Sequence, residues 1–288
     1  MKDRICLITG ANAGIGLETA RGLAQQGATI LLTSRNQARG QAALDEIRKA
    51  TGNDNLDLII LDLASLDSVR AAALDVNGKC DRVDVLINNA GLVLDERRET
   101  REGFEMTFGV NHLGHFLFTH LLIERLKKSD DARIINLSSD AHRSTSGLDF
   151  SDLNRTRRSY STLGAYADSK LANIYFTTEL ARRFRDTPIT AYAVHPGFVN
   201  TRFGRDGDIT GPLSWLVRLI TPIFARNPTK GAETPLYVAT TDGVQRDNGG
   251  YFVDNKPATP TAVARDADAA RQLWEQSLEM LGLNEEAA

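Results

Sequence analysis

The segment Ile5-Cys6-Leu7-Ile8-Thr9-Gly10-Ala11-Asn12-Ala13-Gly14-Ile15-Gly16 constrains the fold of this chain more than any other. A short apolar run rich in β-branched residues predicts a buried strand. Three glycines follow with the spacing TGxxxGxG, and a helical pattern continues through Leu17, Ala20 and Leu23. Strand, glycine turn and helix make a dinucleotide-binding unit. Gly10 permits the tight turn, Gly14 lets the backbone approach a pyrophosphate, and Gly16 allows helix and strand to pack closely. The helix N-terminus meets the phosphate charge. Asn12 and Ile15, between the glycines, count as contacts with them. A purely structural glycine turn has the same letters, so the flanking strand and helix carry the reading.

Further apolar runs continue the pattern. Thr29–Thr33 predicts the second strand and ends in Ser34-Arg35-Asn36, where nicotinamide cofactors are told apart. An acidic residue here would bond the ribose 2′-hydroxyl of NAD and repel a 2′-phosphate. Ser34 is uncharged, and Arg35 offers a planar fork of donors suited to phosphate. Arg39 lies one turn further on. We expect NADP(H), with Arg35 and Asn36 at the 2′-phosphate; a solvated arginine pair is the competing reading.

The run Leu58–Leu61 predicts a third strand, followed by Asp62 and Leu63. A carboxylate there can bond an adenine amino group, whereas a helix N-cap suits Ser65 better than Asp62. Val85–Ile87 leads into Asn88-Asn89-Ala90-Gly91. Small residues permit close approach to the cofactor, and Asn side chains can tie neighbouring strands. Asn88, Ala90 and Gly91 are the expected contacts. Strands at Arg133–Leu137, Ile189–Val194 and Gly250–Val253 complete a sheet of about seven. The expectation is a Rossmann-like, doubly wound parallel α/β sheet flanked by helices. Its polar and glycine-rich residues gather where such sheets bind ligands, at the carboxyl ends of the strands.

Tyr166 and Lys170 stand four residues apart, about one helical turn, on one face. A phenol ordinarily titrates near pH ~10, and a neighbouring cation lowers that value. The pair can therefore move a proton on or off an alcohol oxygen. A surface contact on a helix is the plainer alternative. Two adjacent serines, Ser138 and Ser139, end the fifth strand, and alternation lets only one of them face a site at that edge.

Taken together, the chain resembles the short-chain dehydrogenase/reductase family. The resemblance rests on Thr9-Gly10-x-x-x-Gly14-x-Gly16, Asn88-Asn89-Ala90-Gly91, Asn111, Ser139, Tyr166-x-x-x-Lys170 and Pro196-Gly197-x-Val199-x-Thr201, in family order over nearly the whole chain. It implies interconversion of a ketone or aldehyde with its alcohol. Tyr166 would be the acid/base, with Ser139 a second donor to the reacting oxygen. Lys170 would hold the cofactor ribose and keep the phenol acidic. Asn111 would anchor a water linking Lys170 to solvent, alongside bonding a helix backbone. Pro196, Gly197, Val199 and Thr201 would hold the nicotinamide carboxamide. The family register selects Ser139 over Ser138.

Within the family the chain is most similar to the retinol dehydrogenase branch. That similarity is carried by Asn111-His112-Leu113-Gly114-His115-Phe116, Ser169-Lys170-Leu171-Ala172-Asn173, Gly250-Tyr251-Phe252-Val253-Asp254 and the stretch from Ala269 through Trp274-Glu275. The sequence departs from membrane-bound members by beginning Met1-Lys2-Asp3-Arg4 at the first strand, so retinoid specificity is not carried over. His112, His115 and His120 invite a metal reading, but no carboxylate or cysteine cluster joins them. His142 is read as an exposed loop residue, with the substrate mouth as the alternative.

The chain has 288 residues and a net charge of −3, which argues against a polyanion binder and so against nucleic acid. Arg155-Thr156-Arg157-Arg158 reads as a solvated loop. Cys6 and Cys80 form no disulfide framework or metal pattern. No apolar span of membrane length and no signal peptide appears, so the cytoplasm is expected. We expect one domain over 1–288, with 202–229 as a substrate lid and 262–283 as a C-terminal helical extension. The apolar stretch Pro212–Phe224 suggests a lipophilic carbonyl or alcohol; contact with a partner subunit or a membrane surface competes with the lid. The family resemblance implies a homodimer or homotetramer built on helices near 100–127 and 166–185. Two functions outside the enzyme class remain: a cofactor-binding regulator of the same fold, and a scaffold using the 212–224 helix.

Overall fold

The computed structural model describes residues 1–197 and 227–284. Val199, Thr201 and residues 202–226 of the expected lid lie outside them. Among the described residues, eight strands form one sheet: β1 (Ile5–Ile8), β2 (Thr29–Ser34), β3 (Leu56–Ile60), β4 (Val85–Asn88), β5 (Ala132–Leu137), β6 (Ile189–His195), β7 (Tyr251–Val253) and β8 (Lys256–Ala258). Their order is β3-β2-β1-β4-β5-β6-β7-β8. The first seven run parallel. β4 and β5 are buried along their whole length, as central strands covered by helices on both faces must be.

The eighth strand was not expected. It turns back antiparallel on β7 through Asp254-Asn255, both at positive φ (49° and 62°), as a two-residue hairpin requires. Lys256-Pro257-Ala258 has no strand character of its own, and its proline is tolerated because the strand is at the sheet edge.

Among the described residues, seven longer helices cover the sheet. They are α1 (Gly14–Gln25), α2 (Gln37–Thr51), α3 (Leu66–Lys79), α4, α5 (Thr162–Arg183), α6 (Pro228–Thr240) and α7 (Ala267–Met280). α4 starts as Met106–Phe108, widens into a π-helical stretch at Gly109–Leu113 and continues as Gly114–Leu126. One core packs α3, α4, α5 and α7 against the sheet, through Val69, Phe116, Leu171 and Leu273. The other packs α1, α2 and α6, through Leu23, Leu44 and Val238. Ser65 caps α3, accepting from the Ser68 amide at 3.4 Å.

The C-terminal extension is α7, which lies on α4 and α5. The Trp274 ring meets Phe116 at 4.8 Å and Phe176 at 6.0 Å, and the Arg183 guanidinium sits 4.7 Å from the Trp274 ring centroid. Among the described residues, no helix is long and apolar enough to cross a membrane. The strand order reverses between β1 and β4, and the crevice this leaves at their carboxyl ends is the fold's natural ligand site.

Candidate active site

The β1–α1 turn has the shape of a dinucleotide cradle. Gly10 has φ +63°, and a Cβ there would stand 2.9 Å from the Ala90 Cβ. A Cβ on Gly16 would lie 2.5 Å from Asn89 Nδ2 and 2.7 Å from the Gly10 carbonyl. Gly14 opens α1, whose N-cap residue Ala13 supplies no side-chain acceptor. By contrast Asn36, Ser65 and Ser161 cap α2, α3 and α5. The first amides of α1 therefore carry their partial positive charge toward the crevice without a side-chain partner, which suits a phosphate. Asn12 and Ile15 are half-buried beside this turn.

Thr9 and Asn89 tie the turn to β4. The Thr9 hydroxyl accepts from the Asn89 and Ala90 amides, both at 2.9 Å, and Asn89 Nδ2 donates to the Thr9 carbonyl at 2.7 Å. Asn88 does not present its side chain to the cradle. It is buried, and its Nδ2 donates to Asn136 Oδ1 at 2.8 Å and Thr119 Oγ1 at 3.0 Å. Any cofactor contact there falls to its main chain. The reason is alternation: Asn88 pairs in register with Asn136 of β5, so Asn89 points the other way. The alternation argument applied to the paired serines allows only one of the two asparagines to face the cradle; the register with β5 decides which.

At the end of β2, Ser34 is buried, and its hydroxyl donates to the Asn36 carbonyl at 2.9 Å. Asn36 Oδ1 accepts from the Arg39 amide at 2.9 Å, so the residue expected at the phosphate also caps α2. Arg35 is exposed and makes no hydrogen bond or ion pair among the described residues. After β3, Asp62 is exposed, with one oxygen on the Ala64 amide at 3.1 Å, and Leu63 is buried.

The structure brings Tyr166, Ser139, Lys170 and Asn111 to one place at the carboxyl edge of β4 and β5. The side chains of Tyr166 and Ser139 are hydrogen-bonded. Ser138 faces the other way, its hydroxyl donating to the Lys170 carbonyl at 2.8 Å. Lys170 Nζ lies 5.4 Å from the Tyr166 ring centroid and donates to the Leu137 carbonyl at 3.0 Å. Asn111 Oδ1 accepts from the Leu92 amide at 2.8 Å, while its Nδ2 donates to the Leu92 carbonyl and to Ser169 Oγ, each at 3.0 Å. Asn111 sits in the π-helical stretch of α4, a local widening common at functional sites. A Cβ on Gly91 would meet Asn111 Oδ1 at 3.2 Å and Lys170 Nζ at 3.7 Å, so Gly91 leaves room between them. Pro196 and Gly197 follow β6 at the same edge.

The electrostatics differ from the sequence expectation. Burial pushes the Tyr166 phenol up to about 12, opposed by its hydrogen bond to Ser139. Burial pushes Lys170 down to about 8. Desolvation acts on both charged forms, so in the protein alone the ammonium does not bring the phenol down.

Two loop expectations are also corrected. His142 is buried rather than exposed; its Nδ1 lies 2.7 Å from the Ser139 carbonyl, and its Nε2 accepts from the Thr261 amide at 3.4 Å. It therefore secures the strand end that carries Ser139. The basic run is not simply solvated: Arg155 is buried and pairs with Asp168, between Tyr166 and Lys170, at 2.5 Å. Arg158 reaches the same carboxylate at 3.5 Å. Finally, His112 bonds Ser277 Oγ at 2.9 Å, and no metal-holding cluster occurs among the described residues.

Known proteins share this chain's sequence pattern and fold. The family model described as short chain dehydrogenase matches residues 4–151. Retinol dehydrogenase 11 of Mus musculus is 43% identical over 283 residues, covering 98% of this chain and 88% of that protein. A crystal structure of an uncharacterized protein from Mycobacterium paratuberculosis superposes with TM-score 0.78 and 34% identity, covering 98% of this chain and 95% of that one. A short chain dehydrogenase structure from Escherichia coli CFT073, complexed with NADPH, gives TM-score 0.68 and 25% identity over 88% of this chain and 96% of that one. The glycine cradle, the parallel sheet and these likenesses have one explanation: the chain belongs to the short-chain dehydrogenase/reductase family, nicotinamide-dependent oxidoreductases acting on the CH–OH group of donors.

Proposed function

We propose that the protein interconverts a lipophilic ketone or aldehyde and its alcohol, using NADP(H). The observation that carries the reading is the hydrogen-bonded Ser139–Tyr166 pair with Lys170 against the tyrosine ring, at the mouth of the glycine cradle. The nicotinamide supplies or accepts the hydride when bound. In reduction, Tyr166 donates its hydroxyl proton to the carbonyl oxygen, and a phenol pushed up to about 12 holds that proton at neutral pH. Ser139 donates a second hydrogen bond to the same oxygen and stabilises the charge developing there. Lys170 holds the ribose hydroxyls and offsets charge left on the phenolate. Asn111 fixes the Leu92 main chain and Ser169 around the lysine, and anchors a water linking Lys170 to solvent. Pro196, Gly197, Val199 and Thr201 hold the carboxamide.

Arg35, exposed and unpaired among the described residues, supports the choice of the 2′-phosphorylated cofactor. The apolar composition of Pro212–Phe224 and the name of the mouse relative, a retinol dehydrogenase, support a lipophilic substrate. We place the protein in the cytoplasm, which cell fractionation tests. We infer a homodimer or homotetramer, which sedimentation velocity tests; α7, packed on Phe116 of α4 and Phe176 of α5, narrows the helix surface open to it.

The test is NADPH consumption with a panel of alkyl and aryl ketones and aldehydes. Turnover should fall by roughly 10²–10⁴ in Tyr166→Phe, with NADPH affinity retained. Tight NADPH binding without turnover of any compound would instead favour a regulator of the same fold.

A further inference from the structure

His115 belongs to the histidine-rich stretch of α4, and neither the metal reading nor the proposed chemistry accounts for it. It is buried one helical turn beyond Asn111. Its Nε2 lies 2.8 Å from Thr9 Oγ1, and its Nδ1 lies 3.2 Å from the Asn111 carbonyl. We propose that His115 is a positioning residue that holds the Thr9–Ala90 wall of the nucleotide crevice in register with Asn111.

The donor inventory decides which nitrogen carries the proton. A carbonyl only accepts, so the bond to Asn111 requires hydrogen on Nδ1. The neutral ring then leaves Nε2 as an acceptor. The Thr9 hydroxyl has one hydrogen and two lone pairs. Both lone pairs are taken by the Asn89 and Ala90 amides, at 2.9 Å each. Its hydrogen therefore points to His115 Nε2, since the other acceptor within reach, the Ile87 carbonyl, is more distant at 3.4 Å. Burial and the Lys170 charge hold the imidazole neutral, pushing it down to about 3.

The result is one directed chain of hydrogen bonds. It runs from the Ala90 amide through Thr9 and His115 to the Asn111 carbonyl. The side-chain amide of the same Asn111 donates onward to the Leu92 carbonyl and to Ser169 Oγ, on the residue before Lys170. A rigid ring with a donor and an acceptor at separated positions does this in one side chain; an apolar replacement leaves the Thr9 hydrogen only the distant Ile87 carbonyl.

The inference rests on the proposed NADP(H) chemistry, and the two fail differently. In the 15N-labelled protein with NADPH bound, long-range proton–nitrogen correlation should show hydrogen on Nδ1 of His115, unchanged between about pH 6 and 9. Hydrogen on Nε2, or titration in that range, overturns the inference. His115→Gln keeps an acceptor near Thr9. It should hold the NADPH Kd within about twofold and lower kcat about tenfold, equivalent to about 1.4 kcal/mol. His115→Asn keeps a donor near Asn111 and should show the reverse split. His115→Leu should lose both. Equal losses in all three that follow thermal stability alone overturn the inference in favour of packing. Where a variant does not fold, the tautomer in the unmutated protein decides. Failure of the unmutated protein to bind NADPH overturns the proposed function instead.

Discussion

Tyr166 and Lys170 are each neutral over a wider pH range than free side chains, because the crevice that aligns them also desolvates them. A phenol pushed up to about 12 is a stable proton store, whereas a lysine pushed down to about 8 loses its charge just above neutrality. The sign for reduction follows. The proposed reduction uses the ammonium, so kcat/KM should hold below about pH 8 and fall as pH rises through it. Lys170→Arg, if active, should move that alkaline limb upward because guanidinium stays charged; a limb left in place removes the lysine from the profile. At the end of β2, Arg35 has no partner among the described residues to hold it away from a ligand. Arg35→Ala should raise the NADPH KM at least about tenfold, a loss of roughly 1.4 kcal/mol, and leave the NADH KM nearly unchanged. An equal rise for both cofactors contradicts the 2′-phosphate reading.

At the scale of elements, α5 carries Tyr166 and Lys170 on one face and a buried ion pair on another. Asp168 stands between Tyr166 and Lys170 in sequence, yet it points to Arg155 in the preceding loop. Arg155 has φ +49°, a conformation that non-glycine residues rarely adopt. Its side-chain bonding helps to secure that backbone. Removing one partner leaves an uncompensated buried charge, so Asp168→Ala should cost about 3–5 kcal/mol in urea unfolding. Replacing both residues, as Arg155→Met with Asp168→Leu, should restore much of that stability. If the single and double replacements cost the same, the ion pair is not what holds the loop.

For the whole molecule, α7 decides which helix faces remain available. Trp274 is buried against Phe116 and Phe176, and Ser277 reaches His112 in the π-helical stretch beside Asn111. The helices on which the family resemblance places an oligomer contact are thus covered in part by the chain's own C-terminal helix. Trp274→Ala should destabilise the protein by about 3–5 kcal/mol in denaturant unfolding. It should also expose aromatic surface, detected as concentration-dependent association in sedimentation velocity. A soluble, equally stable variant would mean that α7 is peripheral.

The sequence by itself determined the parallel sheet, the glycine cradle and the grouping of Ser139, Tyr166 and Lys170. The sheet, the cradle and the Tyr166–Lys170 spacing depend on local periodicity or on spacing within one element; Ser139 joins them only through the family resemblance. The structure alone decided that Asn89 rather than Asn88 braces the cradle with its side chain, that His142 and Arg155 are buried, and that His115 joins Thr9 to Asn111. Those facts depend on which face of a strand meets which neighbour, and on groups 13 to 119 residues apart. The same burial set the two acid–base groups apart in pKa, because desolvation is a property of the packed site and not of the side chains that enter it.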